Sequence, residues 1–168
     1  IYAECSSDYD PKSDITRTFY KTVQNMMHYA VTHQTAAEII YDRADAEKPH
    51  VGLMTWKNAP DGRVIKSDVT IAKNYLSEQE VDSLNLLTTA FIDMAEDRAR
   101  RHLIMMMADW KTLLERYLHL QERDILPDAG TVSHEEAEAK ALAEYEKFWR
   151  IQDKTILSDF DKLIEGLK

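Results

Sequence analysis

Apolar residues recur along most of the chain every three or four positions, which is the spacing of one helix face. Four stretches show this pattern clearly, and they span residues 15–30, 81–95, 110–118 and 137–163. The stripe of the first stretch consists of Ile15, Phe19, Val23, Met26, Met27 and Ala30. The pattern predicts an all-α protein whose helices each turn one apolar face inward.

Helix-start signals precede several predicted helices, including a short one through Ile39, Ile40 and Arg43. Three segments have the capping-box pattern, in which a Ser or Thr and a Glu three residues later satisfy each other's backbone N–H groups. They are Thr35–Glu38, Ser77–Glu80 and Ser133–Glu136, and Ser13 or Asp14 can cap the first helix. We therefore expect a helical bundle of about five to six helices, with short connections between antiparallel neighbours. Residues 1–12 are predicted to be an N-terminal arm, and residues 13–168 a single helical domain.

Residues 45–66 are the least helical part of the chain. This segment holds Pro49, Gly52, Pro60 and Gly62, residue types that interrupt helices. Pro60-Asp61-Gly62 is a turn signal between two apolar runs, so the sequence allows either an irregular segment or a small hairpin. A short helix capped by Ser67 is expected to follow.

Composition and charge narrow the class of protein. The chain has 168 residues and a net charge of −9, so its surface repels phosphate backbones. A single cysteine, Cys5, excludes an internal disulfide and fits a reducing compartment, and we expect a cytoplasmic protein. No apolar run approaches the ~20 residues of a membrane-spanning helix, and no membrane contact is expected. The first residues contain neither Met nor a basic segment, which predicts a piece of a longer chain or a processed one.

Familiar catalytic patterns are absent from the sequence. It contains no Gly-rich phosphate loop, no G-x-S-x-G and no H-E-x-x-H. One cysteine cannot build a cysteine zinc site, and the only Glu-x-x-His match, Glu47 to His50, is interrupted by Pro49. The sequence thus predicts no metal and no cofactor.

Titratable and aromatic residues are concentrated between His33 and Lys57, around the least regular part of the chain. Such connections, held by rigid helices, often carry binding and catalytic groups. We take as catalytic candidates His33, Asp45, Lys48 and Lys57, and as binding candidates Glu38, Arg43 and Trp56. In this hypothesis His33 and a carboxylate move protons, while the cations hold an anion.

Structural roles compete with this hypothesis for the same residues. Glu38 is explained by its capping box, and Arg43 by the favourable position of a cation at a helix C-terminus. Trp56 is more often a core residue than a ligand platform. The basic cluster Arg98–His102 likewise suits a helix C-terminus, with nucleic-acid binding as the alternative.

Several segments resemble one known family. The C-terminal part of RhuM-family proteins looks similar to four segments, Tyr2–Pro11, His33–Lys57, Asp61–Glu80 and Ile125–Phe148. Within the second segment, the combination of Gln34–Glu38 with Arg43-Ala44-Asp45 and Lys48-Pro49 is specific to that family. The resemblance covers essentially the whole chain. It implies a bacterial, virulence-associated protein whose full-length form carries an N-terminal DNA-binding-like region, linked to restriction-modification, defence or other mobile-element contexts.

Two functions from different classes follow. The leading prediction is an interaction or oligomerisation domain, with a second copy or another protein as partner and nucleic-acid contact left to an N-terminal region outside this chain. The alternative is an enzyme that acts on a nucleotide or nucleic acid through residues 33–57.

Overall fold

The computed structural model describes residues 6–155, and the side chains of residues 6–152. Five α-helices make up most of this range. They are α1 (Asp14–Thr32), α2 (Ala36–Arg43), α3 (Glu78–Arg100), α4 (Met107–Leu120) and α5 (His134–Thr155). Two short 3-10 helices, Pro49–Gly52 and Ala72–Tyr75, lie between α2 and α3. Across residues 6–155 there is no strand, only an isolated bridge between Ser6 and Met105, so the all-α class is confirmed.

Four of the five helices begin directly after a residue that the sequence offered as a cap, namely Ser13, Thr35, Ser77 and Ser133. The Ser13 hydroxyl accepts a hydrogen bond from the Thr16 amide at 3.1 Å and caps α1. Both bonds of the Ser77–Glu80 capping box are present, at 2.8 and 3.3 Å. The Ser133–Glu136 box is also complete, at 2.9 and 3.2 Å. These caps depend on residues three positions apart, which is why the sequence alone could place them.

The contacts divide the chain into two compact units. Within the described range, the first unit comprises residues 6–36 and 77–131, and the second comprises residues 37–76 and 132–155. The first therefore contains α1, α3 and α4. The second contains α5, all of α2 except its first residue, and the irregular segment that follows α2. The prediction of one domain over residues 13–168 stays a prediction.

In the first unit, α1 packs against both α3 and α4 around an apolar core. Its members are Phe19, Met26, Met27, Ala30, Leu87, Phe91, Ala95, Met105, Met107, Trp110, Leu114, Tyr117 and Leu118. Residues 6–12, which precede α1, are tied to α4. The Trp110 indole donates to the Ser6 hydroxyl and the Met107 amide donates to the Asp8 carboxylate, both at 2.8 Å. The predicted stripe of α1 is thus confirmed apart from Ile15, whose side chain is 66% exposed.

The second unit combines helix packing with an irregular chain segment. The 3-10 helix Pro49–Gly52 contacts α5, and the buried apolar residues come from α2, α5 and the segment between them. They include Ile39, Ile40, Val51, Leu53, Trp56, Val64, Val69, Tyr75, Leu76, Ala137 and Ala141. For residues 45–66 the sequence allowed an irregular segment or a small hairpin, and the structure shows the irregular segment. The turn is closed when the Gly62 amide donates to the Asn58 carbonyl at 2.8 Å, and no strand pairing follows it.

The buried carboxylate of Asp68 organises this irregular segment. Its two oxygens accept from the backbone amides of Lys57, at 3.2 Å, and Ile65, at 2.8 Å. The Asp68 carbonyl accepts from the Asn74 side chain at 2.9 Å. The short helix predicted from Ser67 is therefore wrong, because these bonds fold residues 66–70 into turns and a 3-10 helix starts only at Ala72.

The sequence also predicts that the last helix continues through Ile156, Phe160 and Leu163 and bends or breaks near Ser158-Asp159, where helix propensity drops. These residues lie outside the described part of the chain. Among the helices that are described, none combines the length and the apolar character that a bilayer crossing requires.

Replacing Asp68 by Asn should destabilise the protein. An amide group offers one acceptor oxygen where the carboxylate offers two, so one part-buried backbone N–H, of Lys57 or Ile65, loses its partner, at about 1 kcal/mol. Urea denaturation of Asp68→Asn against Asp61→Asn tests this, because Asp61 is exposed and makes no hydrogen bond among residues 6–155. Equal free energies of unfolding for both variants would contradict the role assigned to Asp68.

Candidate functional site

His33 lies in the first unit, whereas the other six candidate residues lie in the second unit. It follows the last residue of α1 in the left-handed conformation, with φ 57°. Its Nδ1 lies 3.3 Å from an Asp124 carboxylate oxygen, and its ring meets Tyr29 edge-on. His33 and Asp124 are both largely exposed, so this pair contributes little to stability.

Asp45 and Lys48 are brought together in the second unit. The Lys48 ammonium lies 3.8 Å from the Asp45 carboxylate, and that carboxylate also accepts from the Glu47 amide at 2.9 Å. The Lys57 side chain is exposed, and no ion pair holds it within the described part of the chain. No bond among the described residues joins Lys57 to the pair, so the predicted catalytic role of these residues stays a prediction.

The three binding candidates differ in their surroundings. Arg43 donates from Nη1 to the Tyr75 carbonyl at 3.0 Å, and Glu38 is half-buried on α2. Trp56 is 8% exposed, and its indole N–H donates to the Gly62 carbonyl at 2.8 Å. One face of the Trp56 ring packs on the His50 imidazole, with ring centroids 4.2 Å apart.

Backbone strain is concentrated at His50 and Val51. Both residues are left-handed, with φ 54° and 57°, although β-branched Val strongly disfavours this region. Such a conformation costs about 1–3 kcal/mol per residue and persists only where the surroundings enforce it. Val51 is fully buried and its carbonyl accepts from the Asp45 amide at 3.2 Å. At Gly52, with φ 85°, a Cβ would lie 2.2 Å from the Arg43 carbonyl oxygen, so only glycine fits.

A cavity of about 310 Å³ opens beside this strained turn. We call it the His50 pocket, and it is lined by Pro49, His50, Pro60, Asp61, Gly62, Phe148, Ile151 and Gln152. The His50 imidazole and the Asp61 carboxylate have no hydrogen-bond partner within residues 6–155. Two groups that can bind or move a proton therefore border a mostly apolar cavity.

Side chains of α5 hold the loops that form this pocket. The buried Gln152 amide accepts from the Val64 N–H at 2.8 Å and donates to the Val64 carbonyl at 3.1 Å. The Glu144 carboxylate accepts from the Ala46 amide at 2.9 Å. Because Glu144, Phe148 and Gln152 lie four residues apart, they share one face of α5. The face that anchors the loops thus also supplies a wall of the pocket.

The segment of residues 33–57 that the sequence singles out contributes Pro49 and His50 to the pocket, and the other lining residues lie outside that segment. His50 stands inside the 33–57 segment without having been selected, and Asp61 had been noted only as part of a turn. Gln152 falls within the predicted apolar stretch of residues 137–163. A polar residue at a core position was the available signal, because a buried amide needs partners. Within the described residues, no cluster of His, Cys, Asp and Glu has the arrangement of a metal site.

Comparison with known proteins gives one match. The model of the family described as virulence protein RhuM family matches residues 1–156. No curated protein and no solved structure matches the chain.

Replacing Glu144 by Gln should change the pH dependence of stability. The hydrogen bond from Lys147, and next the one from the Ala46 amide, lower the pKa of the Glu144 carboxyl in the folded protein. The resulting stabilisation is present above the unfolded pKa of about 4.3 and is lost as the pH falls through the lower folded pKa. We expect Glu144→Gln to be less stable by about 1 kcal/mol at pH 7, with the difference shrinking in acid.

Thermal denaturation between neutral and acidic pH measures this effect, with Glu146→Gln as the control because Glu146 is exposed. A loss at Glu144 that stays constant across this range, or an equal loss at Glu146, would contradict the assignment.

Proposed function

We propose that this chain, which belongs to the virulence protein RhuM family, is a helical interaction domain that pairs with a second copy of itself. The observation that carries the proposal is an apolar groove in the first unit, where α1 and α4 begin. We call it the α1–α4 groove. It measures about 370 Å³ and is lined by Asp14, Ile15, Thr18, Phe19, Thr22, Met107, Ala108 and Lys111.

The groove leaves apolar side chains exposed to water, which does not stabilise a monomer. Phe19 and Met107 belong to the core and form its floor, whereas Ile15 at its edge is 66% exposed. Ile104 and Met106, just before α4, are 81% and 47% exposed and add apolar surface next to Met107 along the chain. Burying such side chains stabilises an association by about 25 cal/mol per Å² of apolar area.

Charge on the two sides of the groove favours a second copy as the occupant. Asp14 lies on α1 and Lys111 lies on α4. A twofold arrangement can therefore place Asp14 of each copy against Lys111 of the other copy. Their present partners, Arg17 at 3.6 Å and Glu115 at 3.7 Å, are one turn away in exposed positions. Exposed pairs of this kind contribute little and are readily exchanged.

We do not propose that this chain itself contacts nucleic acid. A net charge of −9 opposes binding to a phosphate backbone, and in the basic cluster Arg100 and Arg101 pair with Glu96 and Asp97. We propose instead that an N-terminal region outside this chain contacts DNA, in a mobile-element or defence setting. Pairing would then bring two such regions together.

The enzyme alternative, with a site built from residues 33–57, has less support. Two of its proposed anion-holding cations already have protein partners, Arg43 with the Tyr75 carbonyl and Lys48 with Asp45. This alternative stays a prediction.

Sedimentation velocity over a concentration series tests the pairing. We expect the natural chain to form a dimer. For Ile15→Lys we expect the dissociation constant of the dimer to be larger by roughly tenfold or more, because the lysine charge would be buried in the interface. Leu120→Lys is the matched control, since Leu120 is 80% exposed at the other end of α4. A natural chain that stays monomeric at high concentration, or equal effects of both substitutions, would contradict the proposal.

A charge exchange tests the geometry of the pairing. Asp14→Lys and Lys111→Asp should each weaken the dimer, and the double variant should recover it. Failure of the double variant to recover would exclude the twofold arrangement.

A further inference from the structure

We propose that the His50 pocket of the second unit binds a flat nitrogen heterocycle without a phosphate group, such as a nucleobase or a nucleoside. The inference is independent of pairing through the α1–α4 groove, since it rests on other residues in the other unit.

The His50 imidazole is held in place before any ligand arrives. The backbone at His50 and Val51 is fixed in its strained form by the burial of Val51. The imidazole packs at 4.2 Å on Trp56, and Trp56 is fixed in turn by its bond to Gly62. At Gly62 a Cβ would lie 2.4 Å from the Asn58 side chain, so this turn accepts no larger residue. A preformed aromatic group binds a ligand with little loss of conformational entropy.

The lining of the pocket matches the chemistry of a heterocyclic base. Its walls include the apolar surfaces of Pro49, Pro60, Phe148 and Ile151, which suit the faces of a planar ring. The Asp61 carboxylate accepts hydrogen bonds from ring or exocyclic N–H groups, and the His50 imidazole either donates or accepts. A base offers both kinds of group along its edge, whereas a purely apolar ring offers neither.

The size and charge of the pocket favour a small ligand without a phosphate group. A volume of about 310 Å³ stands at the small end of ligand pockets, which begin at about 300 Å³. Among the described residues that line it, none is Lys or Arg, the side chains that usually bind phosphate. The Asp61 carboxylate and the net charge of −9 both oppose an anionic ligand.

Isothermal titration calorimetry of the whole chain with adenosine, guanosine and cytidine tests the inference. We expect at least one nucleoside to bind, and its 5′-monophosphate to bind at least about threefold more weakly because of the added charge. Asp61→Asn and His50→Ala should each weaken binding by roughly tenfold, as expected when one hydrogen-bonding partner is lost. Asp61 is exposed and makes no hydrogen bond in the described range, so its variant is expected to fold normally.

The controls are Asp82→Asn and His119→Ala, which change the same residue types at exposed positions of the first unit. They should bind like the natural chain. The proposal is overturned if no nucleoside binds at millimolar concentration, if a monophosphate binds as tightly as its nucleoside, or if Asp61→Asn and His50→Ala bind normally. Equal binding of toluene, a flat ring without hydrogen-bonding groups, would also overturn it, because the pocket would then recognise only an apolar ring.

Discussion

The fold of the second unit depends on hydrogen bonds to the backbone of the segment between α2 and α3. This segment lies in neither a long helix nor a sheet, so its N–H and C=O groups need other partners. Between α2 and α3 the helical structure is limited to two 3-10 elements of four residues each, yet much of the segment is buried. Buried N–H and C=O groups without partners cost about 1–3 kcal/mol each. Turn hydrogen bonds within the segment meet part of this demand. Side chains meet another part, among them Asp68, Glu144 and Gln152, which accept from N–H groups of the segment. The form of the His50 pocket follows from those bonds.

The α1–α4 groove of the first unit and the His50 pocket of the second unit are formed by different means. In the first unit, ordinary packing of α1 on α3 and α4 leaves Ile15 and the α1–α4 groove uncovered. In the second, side-chain bonds from α5 fix loops that no periodic pattern would fix, and strain at His50 and Val51 is kept by the burial around it. An apolar groove suits a partner's surface, whereas a small preformed pocket suits a compact ligand.

Local rules explain how much the sequence could predict. The helix bounds follow from apolar spacing and from caps that join residues three positions apart, such as Ser77 with Glu80. The bonds of the second unit join residues far apart in the chain, as Val64 and Gln152 do across 88 positions. No local pattern reports such a pair. Propensity also argued against the observed turn, because Val51 adopts a conformation that Val disfavours.

The most direct test of this account is amide hydrogen exchange of the second unit, followed by NMR. The account predicts slow exchange at the amides of Ala46, Val64 and Ile65, which donate to Glu144, Gln152 and Asp68, and fast exchange at Ser67, whose amide has no acceptor in residues 6–155. Exchange at the first three amides as fast as at Ser67 would show that these side chains do not hold the segment, and would contradict the account of the pocket.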